Sequence, residues 1–265
     1  MGEKYEALVD STDLSNHPLH LRARLHEDGY LLVRKLAPRL PLLELRRAIL
    51  LICANAGWVD GSADLMLGKW SGAGPFTEGD PQYMAVYKQI INHPLFKAWA
   101  DQREFVETIT KIIDAPVLAH RLRIGRVTFP NNVNQTTAAH QDFHYIRGTP
   151  QTYTIWSPLG DCPMELGGLA VLRGSNRAGF LEHDLFKEKK YAGHGLPDAR
   201  LPAGDGVEWH AGDFAAGDVL IFHSHTVHKA MPNLTKDRLR LSTDNRYQRA
   251  GDDIAGISTQ SHYGM

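Results

Sequence analysis

Cysteine is nearly absent from this chain. Only Cys53 and Cys162 occur, in unrelated contexts and with no CxxC or Cys/His cluster beside either, which excludes a disulfide framework and a zinc knuckle. Charge of one sign is missing as well. Lys and Arg total 29 against 30 Asp and Glu, a formal net charge of -1, so nothing electrostatic calls for nucleic acid or an anionic membrane as partner. No apolar run approaches the roughly 20 residues of a membrane helix, and the first thirty residues hold no apolar segment of the secretory kind. Internal repeats, low-complexity tracts and linker-like stretches are lacking too. The expectation is a cytoplasmic protein of one domain, residues 1–265, whose partner is a small molecule.

What is present suffices for a full core. Of the 265 residues 43% are hydrophobic, a size at which one β-rich domain needs no second core. DGYLLVRKL (28–36) reads as a short strand opened by Asp-Gly. In LLELRRAILLICANAGW, Leu42, Leu45, Ile49 and Ile52 recur at three and four and predict an amphipathic helix ending near Gly57. Trp99, Val106, Ile109 and Ile113 predict a second over about 95–114. Between them, 59–83 is rich in Gly, Asp and Ser yet carries Met66, Trp70 and Phe76, a mixture that suits an ordered loop or a lid. From about 117 the texture changes to short β-type runs divided by Gly, Pro, Asn and Asp: APVLAHRLRIGRVTF, QTYTIWSPL, GGLAVLRGS, GDVLIFHS and RLRLSTDNRYQ. That succession predicts a mainly β protein, an antiparallel sandwich or barrel over about 117–250 with the helical and lid elements of about 40–114 outside it.

Two patterns carry chemistry. TTAAHQDFHY sets His140 and Asp142 two apart, and on an extended strand such residues project from one face with Gln141 opposite. Far downstream, GDVLIFHSHTVHKAMPN offers His223, His225 and His228. Two histidines and one carboxylate form the facial triad that leaves positions open on a non-haem iron(II). His228 is favoured as third ligand because it falls just past the strand, at the mouth of a barrel; His223, His225 and His144 are read as packing residues or neighbours. In 238–246, Arg238, Arg240, Ser242, Asp244 and Arg246 share one face, and Leu239 and Leu241 the other. With the leucines outward against helices the arginines turn inward, and a buried guanidinium requires a carboxylate.

Together HQDFHY, ELGGLAVLRGSNRAG, GDVLIFHSHTVHKAMPN and LRLSTDNRYQ resemble the phytanoyl-CoA dioxygenase family of iron(II)/2-oxoglutarate oxygenases, over roughly Asp28 to Tyr247. The resemblance implies a double-stranded β-helix (jelly-roll, cupin-like) with N-terminal helices on the outer sheet. It implies iron(II) on His140, Asp142 and His228, with 2-oxoglutarate and oxygen as co-substrates. The family's 2-oxoglutarate arginine corresponds to Arg240, though counting from His228 falls between Arg238 and Arg240. Trp156 resembles an aromatic found near the metal in several members. The implied reaction is hydroxylation of a substrate C–H bond with release of succinate and CO2; desaturation, epoxidation or cyclisation suits the same site, and the intact HxD argues against halogenation. Trp70, Tyr87, Lys88, Arg126, Phe143 and His144 are the candidates for the substrate pocket. Two other classes compete: a redox-silent cupin-like ligand binder, and a divalent-metal isomerase or hydrolase that needs no co-substrate.

Overall fold

Period-two alternation decides what each strand face is buried against. The structure, a computed structural model, describes residues 4–131, 136–185 and 194–264. Its larger sheet runs in spatial order Tyr30–Val33, Val219–His223, Thr152–Pro158, Arg240–Arg249, with every neighbour antiparallel. Ile124–Thr128 and Val117–Ala119 pair one after the other along the outer edge of the last strand. Leu31, Val33, Ile155, Val219, Ile221 and Leu241 point into a core shared with the helices, whereas Tyr30, Leu32, Trp156, Leu220 and Phe222 point the opposite way, as the pleat requires. A smaller sheet, Glu6–Ala7, Trp209–Ala211, Leu169–Leu172 and His228–Ala230, covers that second face with Leu169 and Val171. Two sheets facing across an apolar layer, with helices outside the larger one, make the expected double-stranded β-helix.

The helix foreseen from Leu42 onward runs Arg39–Asn55 and buries Leu42, Leu45 and Ile49. The one expected over 95–114 is two helices, Pro94–Trp99 and Arg103–Ile113. The break has a cause: the Ala100 carbonyl, which an unbroken helix would offer to residue 104, accepts the Tyr247 hydroxyl at 2.8 Å, and Gln102 is extended. Pro18–Asp28 and Pro81–Asn92 are further helices. The first has Pro18 in its opening turn and Gly29 at φ 80° at its close, the usual punctuation. Residues 59–83 are largely packed down, since Met66, Trp70 and Phe76 lie on the helical core; only Glu78 and Gly79 reach the site described below. Among the described residues no helix is long and apolar enough to cross a membrane.

Candidate metal centre

The HxD pair does not lie on a strand. His140 makes an isolated antiparallel bridge to His228, each backbone N–H donating to the other's carbonyl at 3.0 Å. Gln141 is extended and Asp142 opens the short helix Asp142–Ile146. Residues directly opposed across an antiparallel pair project to one side, so two imidazoles far apart in sequence meet with ring centroids 4.2 Å apart. Extended Gln141 returns Asp142 to that side. Its own buried amide turns the other way, donating to the Gly179 and His225 carbonyls at 2.7 Å and accepting from the Leu181 N–H.

One ligand atom from each of His140, Asp142 and His228 lies within 4.8 Å of the others, and all three residues are buried; His228 Nε2 is 4.0 Å from Asp142 Oδ1. His140 Nδ1 sits 2.7 Å from the Ala138 carbonyl and His228 Nδ1 sits 3.0 Å from that of Thr226. A carbonyl accepts only, so both Nδ1 atoms carry the proton and both Nε2 atoms keep a lone pair for a metal. Two neutral nitrogens and one carboxylate oxygen form the donor set of a mononuclear divalent site with open positions.

Burial, and then the neighbouring imidazole, holds the His140 pKa well below its ordinary value, and burial lowers that of His228. Both are therefore uncharged near neutrality. Because a proton competes for Nε2 only below these lowered values, metal affinity is expected to fall less between about pH 8 and 6 than it would for an exposed histidine pair of ordinary pKa. Manganese(II) titrations at three pH values measure this.

Asp142 is held from behind. Thr154 Oγ1 donates to its Oδ2 at 2.5 Å, and Arg246 donates through Nε to Oδ2 (3.1 Å) and Nη2 to Oδ1 (2.9 Å). Burial alone would raise this carboxyl, but the Arg246 guanidinium and His228 outweigh it and keep the pKa well below the carboxylate range. The charge a metal needs is thus present at all working pH. Arg246→Gln is expected to cut metal affinity by about 10- to 100-fold, as loss of a ligand's outer partner does. The Asp142 pKa then rises, so the affinity remaining should increase with pH; metal titration of the variant at two pH values tests both parts.

Two cavities meet at this cradle, sharing Arg126, Thr137, His140, Asp142 and Arg246 in their walls. The narrow one continues to Trp156, Leu169, Ala230 and Arg240. There Arg240, 2% exposed, donates from Nη1 to Ser242 Oγ (3.2 Å) and from Nη2 to Thr128 Oγ1 (2.7 Å). Its Nε and the indole Nε1 of Trp156 are buried without partners, and no carboxylate pairs with Arg240 among the described residues. A cation so placed, with unused donors beside it, suits a carboxylate ligand. Arg238 instead precedes the strand, is partly exposed and pairs with Glu165 at 3.4 Å.

The wider cavity, about 430 Å3, opens between Glu78, Tyr145, Ile146, Ile257 and Tyr263. Of the candidates for a substrate pocket, Arg126 lines it. The others do not. Tyr87 stands one layer back, its hydroxyl 2.6 Å from His262 Nδ1. Trp70 donates its indole N–H to the Ala73 carbonyl and packs on Phe129, and Lys88 is exposed. Phe143 and His144 follow from helical geometry: Tyr145 and Ile146, three and four residues after Asp142, share its face, so 143 and 144 turn away onto Phe180, His183 and His225. His223 and His225 line a separate cavity with Arg22, His26 and Arg177. Sequence gives no sign of Thr154 or the segment around Ile257–Tyr263, and it places Arg246 on the inward face without a role. For Arg246 the signal existed, since alternation sets it on the Arg240 face.

Fold and donors define the class, a double-stranded β-helix in which an isolated bridge to His228 of the smaller sheet and a short helix opened by Asp142 assemble a two-histidine, one-carboxylate cradle. The chain belongs to the phytanoyl-CoA dioxygenase (PhyH) family, whose model matches residues 25–241. Over 174 residues it is 31% identical to a 1-deoxypentalenic acid 11-beta-hydroxylase of Streptomyces arenae, a match covering 62% of this chain and 57% of that protein. The chain thus matches little more than half the length of this curated relative. Among solved structures it is similar to SnoK, a non-heme alpha ketoglutarate dependent carbocyclase from nogalamycin biosynthesis (TM-score 0.59, 19% identity, 96% of this chain and 89% of that one). It is also similar to the epimerase SnoN in complex with Fe3+, alpha ketoglutarate and nogalamycin RO (TM-score 0.55, 22% identity, 90% and 86% covered).

Proposed function

We propose that the chain is a non-haem iron(II)- and 2-oxoglutarate-dependent dioxygenase, acting as one domain, that hydroxylates a C–H bond of a small molecule in the cytoplasm. His140, Asp142 and His228 are its metal ligands and Arg240 its co-substrate anchor. The observation that carries this reading is the buried Arg240, which no carboxylate pairs among the described residues and whose Nε has no partner, reached along a narrow passage from a cradle of two neutral imidazoles and a carboxylate. A ligand with a carboxylate at its far end and donor atoms at its near end suits both ends at once, and 2-oxoglutarate is such a ligand.

Iron(II) in this cradle would supply open coordination positions and the redox chemistry of oxygen-dependent C–H hydroxylation. The protein's part is positioning. Arg240 grips the far carboxylate, with the hydroxyls of Ser242 and Thr128 already beside it. Arg246 and Thr154 fix the direction in which Asp142 presents Oδ1. Trp156, Leu169 and Ala230 keep water from the passage. The wider cavity, which shares His140 and Asp142 with the passage, then holds the substrate beside the cradle.

Succinate release from 2-oxoglutarate tests the proposal. It should require both iron(II) and oxygen, and a product heavier by one oxygen atom marks hydroxylation or epoxidation, told apart by whether a hydroxyl has been gained, whereas one lighter by two hydrogens marks desaturation or ring closure. Metal-dependent turnover that ignores 2-oxoglutarate would refute the oxygenase reading in favour of an isomerase or hydrolase.

A further inference from the structure

The wider cavity has a wall that lies beyond the family match, which ends at residue 241. Residues after 255 fold back over the sheet. The Ser258 carbonyl accepts the backbone N–H groups of Arg121 and Leu122, His262 meets the Tyr87 hydroxyl, and the Tyr263 hydroxyl donates to Glu78. This tail is therefore fastened at three places while Ile257 and Tyr263 stay 52% and 53% exposed, and Tyr145 across the mouth is 38% exposed. Three large apolar side chains bare at one opening are a surface that gains from being covered.

Charge in the same wall is already balanced. Arg126 pairs with Asp244 at 3.0 Å and lies 3.7 Å from Glu78, and Arg246 is taken by Asp142. Burial lowers the His262 pKa to about 4, so this imidazole is neutral as well. Among the described residues lining the cavity, no cation lacks its acid, in contrast to Arg240 at the end of the narrow passage. A carboxylate or phosphate entering here would lose water and find no free positive partner among the described residues of this wall. Leu122, Ile124 and Ile146 add apolar surface to the wall, beside Gly79, Thr137 and the cradle residue His140.

We propose that this cavity takes a neutral, largely apolar molecule, neither a carboxylic acid nor an acyl-CoA thioester, with Ile257 and Tyr263 of the tail as specificity-determining residues. The proposal rests on the oxygenase reading for calling that molecule the substrate. Its test uses two dyes of one shape: N-phenyl-1-naphthylamine, which is neutral, and 1-anilinonaphthalene-8-sulfonate, which adds one negative charge. Fluorescence titration of the full chain, with manganese(II) and 2-oxoglutarate present, should find the neutral dye bound about tenfold or more tighter, the penalty of desolvating an unpaired charge. Ile257→Asp, at a position exposed enough to leave folding intact, and Tyr263→Ala should each weaken the neutral dye several-fold. Glu78→Gln, which leaves Arg126 with one acid, should strengthen the sulfonate. Equal or tighter binding of the sulfonate, no saturable binding of the neutral dye, or indifference of that dye to both tail variants overturns the proposal. Calorimetry of 2-oxoglutarate binding with and without manganese(II), on the unmodified protein, tests the oxygenase reading separately.

Discussion

Replacing His228 with alanine is expected to abolish metal binding and turnover together while leaving the fold in place. The link between His228 and His140 is made by main-chain groups, which alanine retains, so the strand contact survives. What disappears is the Nε2 lone pair aimed by the Thr226 carbonyl, leaving His140 and Asp142 as two donors where three are needed. Manganese(II) affinity should drop by more than about 100-fold, beyond what loss of an outer partner costs, and succinate release should fall with it. Asp142→Ala should be equally inactive but less stable, because Arg246 would remain buried and charged without a partner. Near-normal metal affinity in His228→Ala would remove the triad and the function built on it.

The second large effect belongs to Arg240. Arg240→Met should raise the KM for 2-oxoglutarate by about 30-fold to several thousandfold, the range of about 2–5 kcal/mol for truncating one side of a buried charge pair. Metal affinity measured without 2-oxoglutarate should barely change, since Arg240 bonds to Ser242 and Thr128 and to none of the ligands. The apo protein should be as stable as the parent or more so, because an apolar side chain replaces a buried guanidinium that has no carboxylate. Arg238→Ala provides the contrast. Its side chain is partly exposed and paired with Glu165, and the KM should stay where it was. The reverse outcome, a KM raised by Arg238→Ala and not by Arg240→Met, would place the anchor on the wrong side of Leu239.

Much of this site could be read from the sequence because its signals are local. A two-residue spacing announces His140 and Asp142, and strict alternation assigns Leu241 outward and Arg240 inward, which is how they lie. The direct bridge between His140 and His228 is a long-range pairing with no local trace, so the expectation of a strand at HxD gave way to a bridge followed by a helix. Of the pocket candidates only Arg126 lines the wider cavity, for a related reason. Trp70 stands in the segment 59–83 that suits a loop or lid, but burial of an aromatic cluster around Trp58, Phe76 and Phe129 holds that segment down, and Lys88 lies exposed on the helix Pro81–Asn92. Ile257 and Tyr263 carry no motif at all; only the fold-back anchored at Ser258 gives them a role. The break between Pro94–Trp99 and Arg103–Ile113 likewise depends on Tyr247, which is distant in the chain.

Arg240, sealed inside the barrel with no acid beside it among the described residues, sets a conflict between endurance and use. Heat selection in the absence of co-substrate favours apolar replacements at this position, whereas excess 2-oxoglutarate, by occupying the folded form alone, favours retaining arginine through mass action. Evolving sturdier variants with the keto acid always in the medium would therefore keep recognition intact, and omitting it would breed proteins that survive boiling and have lost their appetite.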